Sequence, residues 1–191
     1  MTSPAAAIRL HHHPLSGHAH RVELMLSLLG LPVAMVEVDL RAGAQRRPEF
    51  LALNPFGQVP VIEDGDRVLA DSNAILVYLA TRYDPSGRWL PRDAAAAAQV
   101  QRWLSVAAGP SAAGPAAARL AVVFGAPVDH AHAKAVAARL FGVMDGHLAG
   151  QPFLAGETAT IADVALYTYT ALAPEGGVPL DPYRHIGART E

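Results

Sequence analysis

The chain has 191 residues, 51% of them hydrophobic and 17% charged, with 15 Lys+Arg against 17 Asp+Glu for a net charge of −2. This composition is globular rather than disordered, and its charge balance leaves no electrostatic footprint for DNA or RNA. Cys is absent, which excludes disulfides, thiolate zinc sites and a Cys nucleophile, so any reacting thiol must arrive with a ligand.

Residues 1–8 lack the charged and long apolar regions of a signal peptide. No apolar run reaches the roughly 18 residues of a membrane span. A cytoplasmic protein with neither nucleic-acid nor membrane partner is expected. Ile8–His12 and residues 33–38 read as short strands. Between them Val22, Met25, Leu26 and Leu29 recur on one helical face, and Gly30 and Pro32 stop the helix. Strand–helix–strand order implies a parallel pair joined by a right-handed crossover. Residues 47–52 form a short helical turn. Residues 60–63 and 68–69 flank Asp64-Gly65-Asp66, a hairpin signal. Asp71 or Ser72 can then cap a helix carrying Ile75, Tyr78 and Leu79.

The breaker-rich residues 84–91 read as a linker. Beyond it Ala dominates, with 27 in residues 91–191 against 11 in residues 1–90, so the second half is predicted to be helical. Val100, Trp103, Leu104 and Ala107 form one apolar stripe. Ala137, Leu140, Phe141, Met144 and Leu148 form a second, and Ile161, Val164, Ala165, Thr168 and Leu172 a third. Residues 109–114, with Gly at both ends and Pro110 inside, are expected to break or kink the first of these helices. Thr160 and Asp163 have the spacing of a structural capping box.

Four places can carry chemistry. Pro14-Leu15-Ser16-Gly17-His18 joins a strand to a helix start, where free N–H groups and the helix dipole receive an anion. Ser16 there is either a plain N-cap or a hydroxyl donor to a thiolate. In Asn54-Pro55-Phe56-Gly57-Gln58-Val59-Pro60, a proline at a strand start marks a turn or a cis bond. A cis Val59-Pro60 bond would turn the Val59 backbone outward to pair with a peptide-like ligand. Asp71-Ser72 places a carboxylate and a hydroxyl at a second helix start, suited to the ammonium and carboxylate of an amino acid. Five histidines in ten residues (His11, His12, His13, His18 and His20) have no carboxylate among them in sequence and read as no metal site.

In this order and spacing, from about residue 8 to 183, the signals resemble the glutathione transferase family. The most specific part is Pro48-Glu49-Phe50-Leu51-Ala52-Leu53-Asn54-Pro55-Phe56-Gly57-Gln58-Val59-Pro60, followed by Asp71-Ser72-Asn73-Ala74-Ile75-Leu76-Val77-Tyr78-Leu79. Gly156 with Thr160-Ile161-Ala162-Asp163 is similar to the family signature of its helical domain. The resemblance implies an α/β thioredoxin-like domain (βαβ-α-ββα, a mixed four-stranded sheet) over residues 1–83. An all-α domain over residues 92–191 follows it.

The resemblance further implies glutathione as co-substrate, no metal, a small-molecule electrophile as second substrate, and a homodimer. Val59, before a cis Pro60, would pair with the cysteinyl unit. Asp71 and Ser72 would grip the γ-glutamyl end, and Gln58 and Gln45 the glycyl end. Ser16 matches the hydroxyl that faces the sulfur in Ser-type bacterial members, and His18 falls where some of them carry Asn. An unperturbed His18, titrating at about 6.5, would add a second titration to the reaction. No Tyr precedes Tyr78, which rules out a Tyr-type mechanism. The leading expectation is transfer of glutathione to electrophiles, and its rivals are glutathione-dependent disulfide or peroxide reduction and a non-catalytic binding role. Family members usually continue with further helices after a segment like Asp181-Pro182-Tyr183. Here Gly187 and the polar tail offer none, so a shortened helical domain with exposed apolar surface is expected.

Overall fold

β1 (Ile8–His12) pairs in parallel with β2 (Val33–Glu37) and antiparallel with β3 (Val61–Asp64) in the computed structural model, which describes residues 7–188. β4 (Arg67–Ala70) completes a four-stranded mixed sheet of order β2-β1-β3-β4. Asp64 pairs with Arg67, so the hairpin loop is Gly65-Asp66 alone, and Gly65 takes the φ of 63° that such a tight loop requires. Most of the segment read for a signal, residues 1–6, and tail residues 189–191 lie outside the described residues.

α1 (Gly17–Leu28) buries Val22, Met25 and Leu26, and packs on α3 (Ser72–Tyr83) through Ile75, Leu76 and Leu79. Leu29 is the half-buried C-cap of α1 and not a core residue, because the chain turns at Gly30 with φ 64°. The short turn is a 3-10 segment at Ala44–Arg46 followed by α2 (Pro48–Leu51). α2 drops Phe50 into a small core with Val38 and Val61, against which Leu40, Ala44, Leu53, Val59 and Ala70 pack. The apolar contacts of this second core hold the irregular chain around Val59 in place.

The chain divides into two compact units between Pro85 and Ser86. In the helical unit α4 (Ala94–Val106) does not break at residues 109–114. It continues as a π-helical segment, Ala107–Ala116, into α5 (Ala117–Phe124). Of the break or kink expected there, the break is absent for a packing reason. Gly114 lies so close to α6 (His130–Leu148) that a Cβ would stand 2.8 Å from the Ala137 nitrogen, and the wider winding absorbs Pro110 and Pro115 without ending the helix. Trp103, Ala107, Ala137, Phe141 and Met144 are buried in this unit, as are Ile161, Val164, Ala165 and Thr168 of α7 (Ile161–Ala171). Leu172, the C-cap of α7, is half-buried.

The tail differs from expectation. Arg184–Gly187 forms a helical turn, α8, because Asp145 of α6 accepts from the backbone N–H of His185 (2.7 Å) and Ile186 (3.1 Å). Those bonds and His185 hold the Asp145 carboxyl below its usual range despite its partial desolvation. A partner donated from α6 makes a turn that local sequence does not signal.

Candidate active site at one edge of the sheet

Strand register brings the candidate residues together. His11 lies opposite Val61, and Val61 opposite Ala70. The chain leaving β1, the chain entering β3 and the chain leaving β4 therefore meet at one edge. These are the segments of Ser16 and His18, of Val59 and Pro60, and of Asp71 and Ser72. β2 ends there too, since Glu37 pairs with His12. The carboxyl ends of parallel strands are where α/β folds bind ligands.

Ser16 is the N-cap of α1, its Oγ accepting from the Ala19 N–H at 3.2 Å. One lone pair is thus committed, whereas the hydroxyl proton has no acceptor among the described residues. The N-cap reading of Ser16 is thus met, and the cap leaves the hydroxyl proton over. His18 is the second residue of α1, in its first turn, with Nδ1 3.4 Å from Ser72 Oγ, so the starts of α1 and α3 touch. Burial, reinforced by the Arg21 guanidinium and opposed more weakly by Asp71, pushes His18 down from 6.5 to about 4. The expected second titration near 6.5 is therefore displaced, because the charged ring loses its water and faces a cation.

The Val59-Pro60 bond is cis. Neither the Val59 N–H nor its C=O joins a hydrogen bond among the described residues. Asn54, buried under this loop, organises it: Nδ2 donates to the Gln58 carbonyl at 2.8 Å and Oδ1 accepts from the Phe56 N–H at 3.1 Å. Gly57 has φ 61°, and a Cβ on it would meet the Gln45 carbonyl at 3.0 Å, so the Gln45 turn rests on this loop. Gln45 Oε1 is buried and accepts no hydrogen bond among the described residues, while its Nε2 reaches the Leu40 carbonyl only at 3.4 Å. The Gln58 side chain is exposed and touches none of the other candidates through a hydrogen bond.

Asp71, not Ser72, is the N-cap of α3, its Oδ1 accepting from the Ala74 N–H at 2.9 Å. Its backbone sits at φ 70°, ψ 120°, a sparsely populated conformation for a non-glycine residue that costs on the order of 1–3 kcal/mol. Such strain persists only where the surroundings over-determine it. Ser72 is buried directly behind.

Three residues of this edge escape sequence reasoning. Asn54 reads as a turn residue. Arg21 is only 1% exposed and donates through Nη1 to Asn73 Oδ1 (2.9 Å) and Ser72 Oγ (3.4 Å). One signal was available, since Arg21 falls on the same helical face as Val22, Met25 and Leu26, where a charge must find partners. The histidine run also hides a carboxylate, because cross-strand Glu63 meets His11 Nε2 at 2.6 Å and Arg9 at 3.3 Å. His13 Nδ1 accepts from the Leu15 N–H at 3.2 Å. Among the described residues no group of three or more His, Asp or Glu is arranged to hold a metal ion.

The edge offers two helix N-termini, a hydroxyl donor, an uncommitted peptide backbone and an acid–hydroxyl pair. Residues 15–82 match the family model for the glutathione S-transferase N-terminal domain, and residues 125–188 match that for the glutathione S-transferase C-terminal domain. A glutathione S-transferase 3 from Zea mays is 41% identical over 167 residues, 83% of this chain and 74% of that protein. A glutathione S-transferase 2 from Anopheles gambiae is 30% identical over 174 residues, 91% of this chain and 83% of that one. A crystal structure of a glutathione S-transferase from Pseudomonas fluorescens superposes with a TM-score of 0.89 at 34% identity, covering 97% of this chain and 93% of its own.

Proposed function

From the premise that this chain belongs to the glutathione transferase family, and so is an enzyme using glutathione as co-substrate, we propose that the sheet edge carries the reaction with the following roles. Ser16 donates its hydroxyl to the glutathione sulfur and favours the thiolate. The N-terminus of α1 adds its partial positive charge. A free thiol titrates at about 8.5, and lowering that by two units takes about 2.7 kcal/mol. One hydroxyl hydrogen bond and a helix N-terminus supply energy of that order. His18, neutral near pH 7, assists by hydrogen bonding and brings no charge of its own.

Val59, shaped by Pro60, pairs its backbone with the cysteinyl unit. Asp71 and Ser72 take the ammonium and carboxylate of the γ-glutamyl end. Gln58 and Gln45 serve the glycyl end. Residues 1–83 bind glutathione, and residues 84–91 join them to helical residues 92–191. The second substrate is a small electrophile. The protein acts in the cytoplasm, in detoxification, as a homodimer. Phe56, 85% exposed on the loop before Val59, is the kind of apolar side chain a dimer interface covers.

The single observation that carries these roles is the contact of His18 with Ser72, which joins the thiol-side and γ-glutamyl-side helix starts. Calorimetry should give one glutathione per chain, and joint removal of the Asp71 carboxylate and Ser72 hydroxyl should abolish it; undiminished binding would sink the assignment. Steady-state assays with an aryl halide and with a disulfide substrate separate transfer from reduction, and transfer is expected to dominate. Light scattering should show twice the 20.1 kDa chain mass.

A further inference from the structure

We propose that Arg21 is a positioning residue for the γ-glutamyl end of glutathione, fixing Ser72 and Asn73 at the first turn of α3 and, through Ser72, His18. The proposal rests on the reading of Asp71 and Ser72 as the γ-glutamyl site.

A fully buried guanidinium is costly, several kcal/mol of desolvation before its bonds are counted, and an apolar side chain at this helical position would fill the space at less cost. Val22, Met25 and Leu26 show what the same face of α1 otherwise holds. Arg21 instead spends its Nη1 on the two residues that open α3, Asn73 Oδ1 at 2.9 Å and Ser72 Oγ at 3.4 Å. Hydrogen-bond direction then gives the contact a consequence. A guanidinium only donates, so it occupies a lone pair of Ser72 Oγ and leaves the Ser72 proton to be given elsewhere. His18 Nδ1, 3.4 Å away, is one acceptor within reach in the tautomer that carries its proton on Nε2. A carboxylate of the ligand is the other acceptor that proton can serve. Arg21 thereby orients Ser72 as a donor toward the ligand side and sets a fixed positive charge behind it, both of which suit a carboxylate and not a neutral amide. The depressed pKa of His18, to which Arg21 contributes after burial, shows the same charge acting on the neighbouring ring.

The test is a cycle on the full chain, read by calorimetry with glutathione and by steady-state kinetics. Arg21→Lys keeps the charge but loses the planar fork. It should raise the Kd and KM for glutathione about tenfold with kcat within about twofold. In a Ser72→Ala background the same change should have no further effect, because Arg21 acts through that hydroxyl. Asn73→Ala, which removes the 2.9 Å acceptor at the other end of the anchor on a half-buried side chain, should weaken glutathione severalfold and lower the melting temperature as well, since it leaves the buried guanidinium less satisfied. That variant carries the same cycle if Arg21 variants do not fold. The proposal is overturned if the Arg21 and Asn73 variants lower the melting temperature but leave Kd untouched, or if their losses simply add to that of Ser72→Ala. If Ser72→Ala itself leaves Kd unchanged, the γ-glutamyl assignment has failed instead.

Discussion

The start of α7 and the starts of α1 and α3 are built from the same residue types and differ in what is left over. At α7, Thr160 accepts from the Ala162 N–H, while Asp163 Oδ2 accepts from both the Thr160 N–H at 2.8 Å and the Thr160 hydroxyl at 3.2 Å. The second Asp163 oxygen takes the Leu154 N–H at 2.9 Å, so the cap also anchors the preceding loop. The Thr160 and Asp163 side chains are spent within the fold. At α1 the Ser16 cap retains its proton, and at α3 the Asp71 cap is strained and faces solvent with Ser72 and His18 beside it. A closed set of hydrogen bonds is structural, and the unfinished set gathered at one edge is what the proposed site draws on.

The largest effect expected from this contrast is on stability at the closed cap. Asp163→Ala removes acceptors for two backbone donors and the capping box, and should cost about 3 kcal/mol by denaturant unfolding. Glutathione affinity should be unchanged; a weakened affinity would break the contrast by tying α7 to the site. At the open end of α3, Ser72→Ala should cost about 2 kcal/mol of glutathione binding, roughly thirtyfold in Kd, with a smaller loss of stability. Equal losses in both would make Ser72 a structural residue.

At α1, Ser16→Ala should raise the pKa of bound glutathione and lower kcat/KM at pH 6.5 by roughly tenfold, about 1.4 kcal/mol. Binding should move much less. His18→Ala should have the smaller effect, and a displaced pH profile in that variant alone would transfer the thiolate-stabilising role to His18. The smallest effect is an absence. With His18 at about 4, the kcat/KM profile should show no limb from it between pH 5 and 8. The sign for stability follows from the same shift. The unfolded ring binds a proton near 6.5 and the folded one only near 4, so His18 destabilises the fold as pH falls from 6.5 toward 4. His18→Gln should flatten that part of the acid-unfolding curve.

Much of the frame was legible because it is local. Strand alternation at Ile8 and Leu10, the helical spacing of Val22, Met25 and Leu26, and the Gly65-Asp66 turn depend on neighbours a few residues away. So does the Thr160–Asp163 box, whose donors and acceptors lie within one helical turn. Ser16, Val59 and Asp71 were legible as candidates for the same reason, since each stands at a boundary between elements that periodicity marks.

What stayed hidden depends on partners far along the chain. Glu63 reaches His11 across 52 residues because strand register, not sequence distance, sets their separation. Arg21 finds Asn73 over the same sequence distance by helix packing. α8 exists because Asp145 caps it from α6, and the π-helical passage through Pro110 and Gly114 exists because α6 lies against it. His18 keeps its residue type but loses its ordinary titration to burial and to a buried cation. By itself, then, the sequence determined the strands and most of the helices, the absence of any thiol of its own, and the polar residues at the starts of α1, α3 and α7, all properties of short stretches of chain. Only the tertiary structure decided which of those polar groups are consumed by the fold and which remain at the sheet edge, because hydrogen-bond partners and desolvation are set by what packs alongside.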